Sequence, residues 1–203
     1  MNITGCMPIK NVLKLLDSIK EGVSFEDTTN SYGTQTLENL TSAYQYLLED
    51  CFEREISEKE LMVTNSLVRN IPCQQNYRAF PVNVTNRGAA SLNPELITPV
   101  MNRLIYLIND NSLTVEERAA IAQGGIYYVQ PFEDGNKRTG RAIMDKVLLE
   151  NRYNLVKFGD RENYINSLFE VCDNLKKDKN EGQLLERKKS FEPLTSIIRD
   201  SQN

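Results

Sequence analysis

The sequence predicts an all-α protein that carries one short β-hairpin flap. Three features point there. Apolar residues recur at spacings of three and four through most of the chain, the period of an amphipathic helix. Ser57 with Glu60, and Thr114 with Glu117, have the spacing of capping boxes and mark helix starts. Only Phe80–Thr85 alternates as a strand does, and Pro81 keeps it from being a central strand.

The elements follow in order. Val12, Leu15, Leu16 and Ile19 predict a short helix over Asn11–Ile19, ended by Gly22. The polar, turn-rich run EDTTNSYGTQ comes next. From Thr36 a longer amphipathic helix runs toward Glu55 through Leu37, Leu40, Ala43, Tyr44, Leu47 and Leu48. A second helix follows, capped by Ser57. The segment around Tyr77–Asn86 reads as a projecting flap, with Asn86, Arg87 and Gly88 as its turn. Pro94 suits a first helical position, and Pro99 is expected to end an initial turn and restart the helix. After Thr114 comes a helix rich in alanine and glycine, which reads as central and buried on most sides. Pro131–Gly135 breaks it, and a new helix starts near Asn136. Asp160–Asp178 forms another, Glu181–Lys189 a charged one, and the end TSIIRDSQN is expected at the periphery.

Composition removes whole classes of function. The 203 residues contain no histidine and no tryptophan. No Ser-His-Asp or Cys-His catalytic arrangement can therefore exist, and no side chain titrates near neutrality without being shifted. The cysteines, Cys6, Cys51, Cys73 and Cys172, are scattered and form no CxxC pair, which argues for free thiols rather than a zinc site. A net charge of -4 argues against broad nucleic-acid binding but leaves room for a local basic pocket. The start lacks a signal-peptide pattern, and no apolar run is long enough to span a bilayer, so a cytoplasmic, membrane-free protein is expected.

The segment Gln130–Arg141, QPFEDGNKRTGR, concentrates the chemistry. A buried helix ends, and a short loop carries Glu133, Asp134 and Gly135. A new helix then starts with Lys137, Arg138 and Arg141. Backbone N–H groups at a helix start are unpaired and hold anions well. Gly135 permits a tight approach or a positive φ. Arg138 and Arg141, three apart, share a face and can clamp phosphate oxygens. Asp134 is a hard oxygen ligand suited to magnesium on a triphosphate. The pattern is not a Walker A loop. Ordinary surface salt bridging is the competing explanation, although cations in a first turn oppose the helix dipole.

The same run resembles the signature of the Fic/Doc family, HxFx(D/E)GNGRxxR, with Phe132, Asp134, Gly135, Asn136, Arg138 and Arg141 in register. The resemblance implies a helical bundle with a flap, binding ATP and Mg2+, and transfer of AMP to a Ser, Thr or Tyr hydroxyl of a target protein. It implies that Phe132 packs in the core and Asp134 binds magnesium. Gly135 and Asn136 would shape the phosphate nest, with Lys137 adding charge beside it. Arg138 and Arg141 would hold the distal phosphates, with Asp134 and Arg138 among the catalytic groups. The protein target would dock along the flap. Exposed flap edges and an inhibitory helix also invite a homodimer.

Two departures stand out. Lys137 occupies a position that is glycine in the strict AMP-transferring motif, and lysine there also occurs in Doc-like phosphotransferase toxins. Gln130 stands where the family has its catalytic histidine, and a neutral amide cannot take a proton from a hydroxyl. Impaired transfer follows, with an inactive nucleotide-binding or protein-binding pseudoenzyme as one alternative and a Doc-like toxin as another. Upstream, Thr34 through Asn39 resembles the family's inhibitory pattern (S/T)xxxE(G/N). The resemblance implies that Glu38 pairs with Arg141 and blocks the γ-phosphate position. A solvated first-turn glutamate is the alternative. A C-terminal match around Asn180–Gly182 fails, because Lys177 stands where Ser or Thr is needed. The expected organisation is an N-terminal extension over 1–35 and a helical core over 36–178. That core includes the inhibitory helix at 34–50 and the flap near 77–86. A helical tail covers 179–203.

Overall fold

The computed structural model describes residues 34–84, 89–90, 92–156, 161–177 and 188–202. The helix expected over Asn11–Ile19 and most of Glu181–Lys189 lie outside these residues. Helix α1 (Thr34–Gln45) runs straight into a π-turn, Tyr46–Asp50. Then come α2 (Glu58–Arg69), the strand pair β1 (Asn83–Val84) and β2 (Ala89–Ala90), α3 (Pro94–Asn109), α4 (Val115–Val129), α5 (Asn136–Glu150) and α6 (Arg161–Lys177). A 3-10 turn, Lys188–Phe191, leads into α7 (Glu192–Asp200). None of the described helices is long and apolar enough to cross a membrane.

The protein is all-α, as the periodicity predicts. Both capping boxes form. Ser57 accepts from the Glu60 N–H while the Glu60 carboxylate accepts from Ser57 N–H at 2.6 Å, and Thr114 and Glu117 do the same. The strands pair antiparallel over two residues each, Asn83 with Ala90 and Val84 with Ala89.

Helix α4 is the hub. It packs on α3, α5, α6 and α7, and its residues Ala119–Ile126 are buried throughout. Its paired glycines permit this crowding. A Cβ on Gly125 would fall 2.1 Å from Leu104 Cδ1 of α3, and one on Gly124 would fall 3.1 Å from Leu194 of α7. Small residues thus allow close helix approach, which offsets the helix-propensity cost of about 1 kcal/mol per glycine.

Two expectations are corrected. Pro99 neither ends nor restarts a helix, since α3 is continuous through it. The buried Ile97, Val100, Met101 and Leu104 anchor both sides of the proline, and packing outweighs the lost backbone bond. The C-terminal tail is not peripheral, because Phe191, Leu194 and Ile198 are buried against α4 and α6. Its apolar positions are three and four apart over one short helix, too brief a pattern to stand out in the sequence.

Candidate functional site

The site is the turn between α4 and α5. Helix α4 ends at Gln130, which adopts a left-handed conformation (φ 49°, ψ 57°). Such a residue stops a helix, and here it is not glycine. Both polar atoms of its side chain are hydrogen-bonded. Nε2 donates to the Tyr127 carbonyl, and Oε1 accepts from Asn136 Nδ2 at 2.9 Å. Buried Asn136 also closes the loop on itself, donating to the Phe132 carbonyl at 2.8 Å and accepting from the Phe132 N–H at 2.9 Å. Phe132 is buried, with its ring 5.9 Å from that of Tyr77.

Gly135 follows at φ 79° and opens α5. A Cβ there would lie 2.9 Å from Asn65 Nδ2. Helices α2, α3 and α4 each begin with a side chain accepting from a first-turn N–H, whereas α5 begins with no side-chain cap. N–H groups at such a helix start are open to an anion. Around them, Asp134 is exposed and pairs loosely with Arg138 at 3.5 Å, and Arg138 also donates to the Val68 carbonyl at 3.1 Å. Lys137 is half-buried on the same turn, and its carbonyl accepts from Gln123 at 3.4 Å.

Arg141, one turn on, is largely buried. Its Nε lies 3.3 Å from the carboxylate of fully buried Asp145, and Nη2 donates to the Val156 carbonyl at 2.7 Å. The expected Glu38–Arg141 pair is not formed. Glu38 is exposed on α1, and among the described residues the carboxylate paired with Arg141 is that of Asp145. Geometry favours this partner, since Asp145 lies one helical turn from Arg141 on the same helix and faces its Nε side.

Several residues that hold the site carry no motif. Asn65 of α2 donates to the Asp134 carbonyl at 2.9 Å and to Thr139 at 3.1 Å, fixing the loop from below. Arg69 pairs with Glu133 at 3.8 Å. Buried Arg78 donates to the carbonyls of Gln130, Val129, Phe80 and Leu92. It therefore satisfies the end of α4 and ties together both legs of the β1–β2 segment. Burial lowers its pKa, and carbonyl oxygens replace the water it gives up. Burial likewise pushes the Tyr77 hydroxyl above its usual value, with Glu58 adding to the rise.

These residues suit a nucleotide with its metal. Asn65 Oδ1 and Arg69 Nη1, beside the Gly135 turn, are buried without a hydrogen-bond partner. Among the described residues no group of three or more Cys, Asp or Glu side chains could cage a metal. A single exposed carboxylate such as that of Asp134 is compatible with Mg2+ held mainly by phosphate and water.

A profile of the Fic/DOC family matches residues 34–148, from α1 to the last turns of α5. The chain belongs to the Fic/DOC family. Within the family, a probable protein adenylyltransferase of Aquifex aeolicus is 35% identical over 78 residues, which is 38% of this chain and 23% of that protein. Protein adenylyltransferase fic-1 of Caenorhabditis elegans is 34% identical over 65 residues, 30% of this chain and 13% of that protein. The chain thus spans less than a quarter of the length of these curated relatives. Among solved structures, a Fic-domain signaling protein from Bacteroides thetaiotaomicron superposes with a TM-score of 0.74 at 19% identity, covering 96% of this chain and 89% of that one. An IbpAFic2 variant in complex with adenylylated Cdc42 superposes at 0.63 and 16% identity, covering 95% of this chain and 68% of that one. These superpositions share the Fic fold.

Proposed function

We propose that this Fic protein binds Mg-ATP at the α4–α5 turn and is built on the scaffold that transfers AMP to a hydroxyl of a target protein. One observation carries this reading: the uncapped start of α5 at Gly135, with Asp134, Arg138 and Arg141 around it, inside the segment that matches the family. The adenylyltransferase names of the two curated relatives support AMP as the transferred group, and the complex with adenylylated Cdc42 supports a protein as acceptor. In this proposal the α5 N–H groups and Arg138 hold phosphate oxygens, Arg141 holds the distal phosphates, and Asp134 binds the metal. Magnesium supplies charge neutralisation on the phosphates. An extended target segment pairs along β1, steadied by the Arg78 clamp at its base.

Gln130 limits the chemistry. The attacking hydroxyl must lose a proton, and the residue at this position is an amide whose two polar atoms are already bonded to Tyr127 and Asn136. Nucleotide binding without efficient transfer is therefore the second reading. Transfer of label from α-labelled ATP to lysate proteins and to the chain itself, measured for the chain and for Gln130→His, decides between them. Label with Gln130→His alone supports an impaired transferase. Nucleotide binding without label from either form supports the pseudoenzyme. Label from γ-labelled ATP only would point to the Doc-like phosphotransferase reading, and binding to neither ATP nor ADP would sink all three.

A further inference from the structure

Arg141 is joined to helix α1 through a buried relay. The Tyr44 hydroxyl donates to Asp145 Oδ2 at 2.6 Å, across 101 residues of sequence. Asp145 in turn faces Arg141 Nε through both carboxylate oxygens at 3.3 Å. Asp145 is completely buried, and Tyr44 is 2% exposed. We propose that Tyr44 and Asp145 are positioning residues for Arg141, so that the seating of α1 sets the aim and effective charge of this guanidinium. The inference rests on the proposed assignment of Arg141 to the distal phosphates.

A buried carboxylate is tolerated only when its oxygens are compensated. Here the Arg141 guanidinium and the Tyr44 hydroxyl share that task, and an O–H bond to a carboxylate at this length is a strong, charge-assisted one. The Val156 carbonyl fixes a second edge of the guanidinium. A planar fork held from two sides is pre-oriented for a phosphate. Removing the Tyr44 hydroxyl leaves Asp145 to lean more heavily on Arg141. The guanidinium then turns toward the carboxylate, and its charge is more fully cancelled. Coupling of this kind is reciprocal, so a ligand that engages Arg141 must also steady α1.

The test pairs a ligand-free readout with a binding readout. The Arg141 Nε–H resonance, identified by its loss in Arg141→Lys, is followed by NMR in the chain and in Tyr44→Phe, which keeps the aromatic ring. Calorimetric titrations with ATP and with AMP are run on the same samples, and Asp145→Asn repeats the comparison. Tyr44→Phe is expected to shift the resonance and weaken ATP about fivefold or more while leaving AMP unchanged, because AMP lacks the distal phosphates. In the unmodified chain, ATP but not AMP is expected to slow amide exchange over residues 38–48. An unmoved resonance overturns the inference, as does equal weakening of ATP and AMP, which is what simple loss of packing would produce. If the folded chain binds neither nucleotide, the proposed function fails, and the resonance still decides whether Tyr44 controls Arg141.

Discussion

Gln130 and Gly135 show how much single residues decide here. Gln130 holds the loop through Asn136 and Tyr127 but offers no base. Gln130→His is expected to raise AMP transfer by a factor of about 10²–10⁴, the usual worth of a positioned base, as read by label incorporation from ATP. Gly135 sits at φ 79° with no room for a Cβ beside Asn65. Gly135→Ala is expected to cost at least ~1 kcal/mol in the left-handed region and to abolish nucleotide binding, seen as a lower Tm and a flat calorimetric trace. The motif residues from Gln130 to Arg141 were legible because they are consecutive. Asn65, Arg78, Tyr44 and Asp145 were not, because only the tertiary fold brings them to the loop. Nothing in the sequence around Arg78 distinguishes a buried clamp from a surface arginine. The Glu38–Arg141 pair was expected from a short pattern that says nothing of Asp145, one turn away on Arg141's own helix.

Among the elements, helix starts were the most legible, since the Ser57 and Thr114 boxes are written in residue type and spacing. Thr114→Ala is expected to destabilise the protein by about 1 kcal/mol in urea unfolding, with little effect on the site. The least legible feature was the segment from Tyr77 to Leu92, where strand signals are short. There, Arg78 substitutes for the backbone pairing that a longer sheet would supply. Arg78→Gln strands buried carbonyls at the end of α4 and at both legs of β1–β2. Hydrogen exchange at Asn83, Val84, Ala89 and Ala90 is expected to accelerate markedly while exchange in α3 stays slow. Unchanged exchange at those residues would remove Arg78 from its role as clamp.

Taken whole, the molecule depends on α7 closing over α4. Leu194→Ala opens a cavity against Gly124 and is expected to cost about 2–5 kcal/mol, measured by urea unfolding. A second whole-molecule effect comes from Glu150, whose carboxyl is raised above its ordinary value by burial, against the opposing pull of Lys146 and the Glu53 N–H. The folded chain holds that proton more tightly than the unfolded chain. Its contribution is therefore present below the ordinary carboxylate pKa and is lost as pH rises through the folded value. Glu150→Gln is expected to remove this dependence from a plot of unfolding free energy against pH.

The π-turn at Tyr46–Asp50 gives α1 a further property. Each residue of a helix advances the azimuth by roughly 100°. The π-turn is a phase shifter placed between Tyr44 and the buried Cys51, with Leu47 and Leu48 anchored inside it. Shortening it by one residue would rotate Tyr44 by about that angle and swing its hydroxyl away from Asp145, with every side chain of the relay still encoded. The link from α1 to Arg141 is thus carried by chain length as much as by residue identity. A one-residue deletion here would act as a disconnect that no substitution could repair.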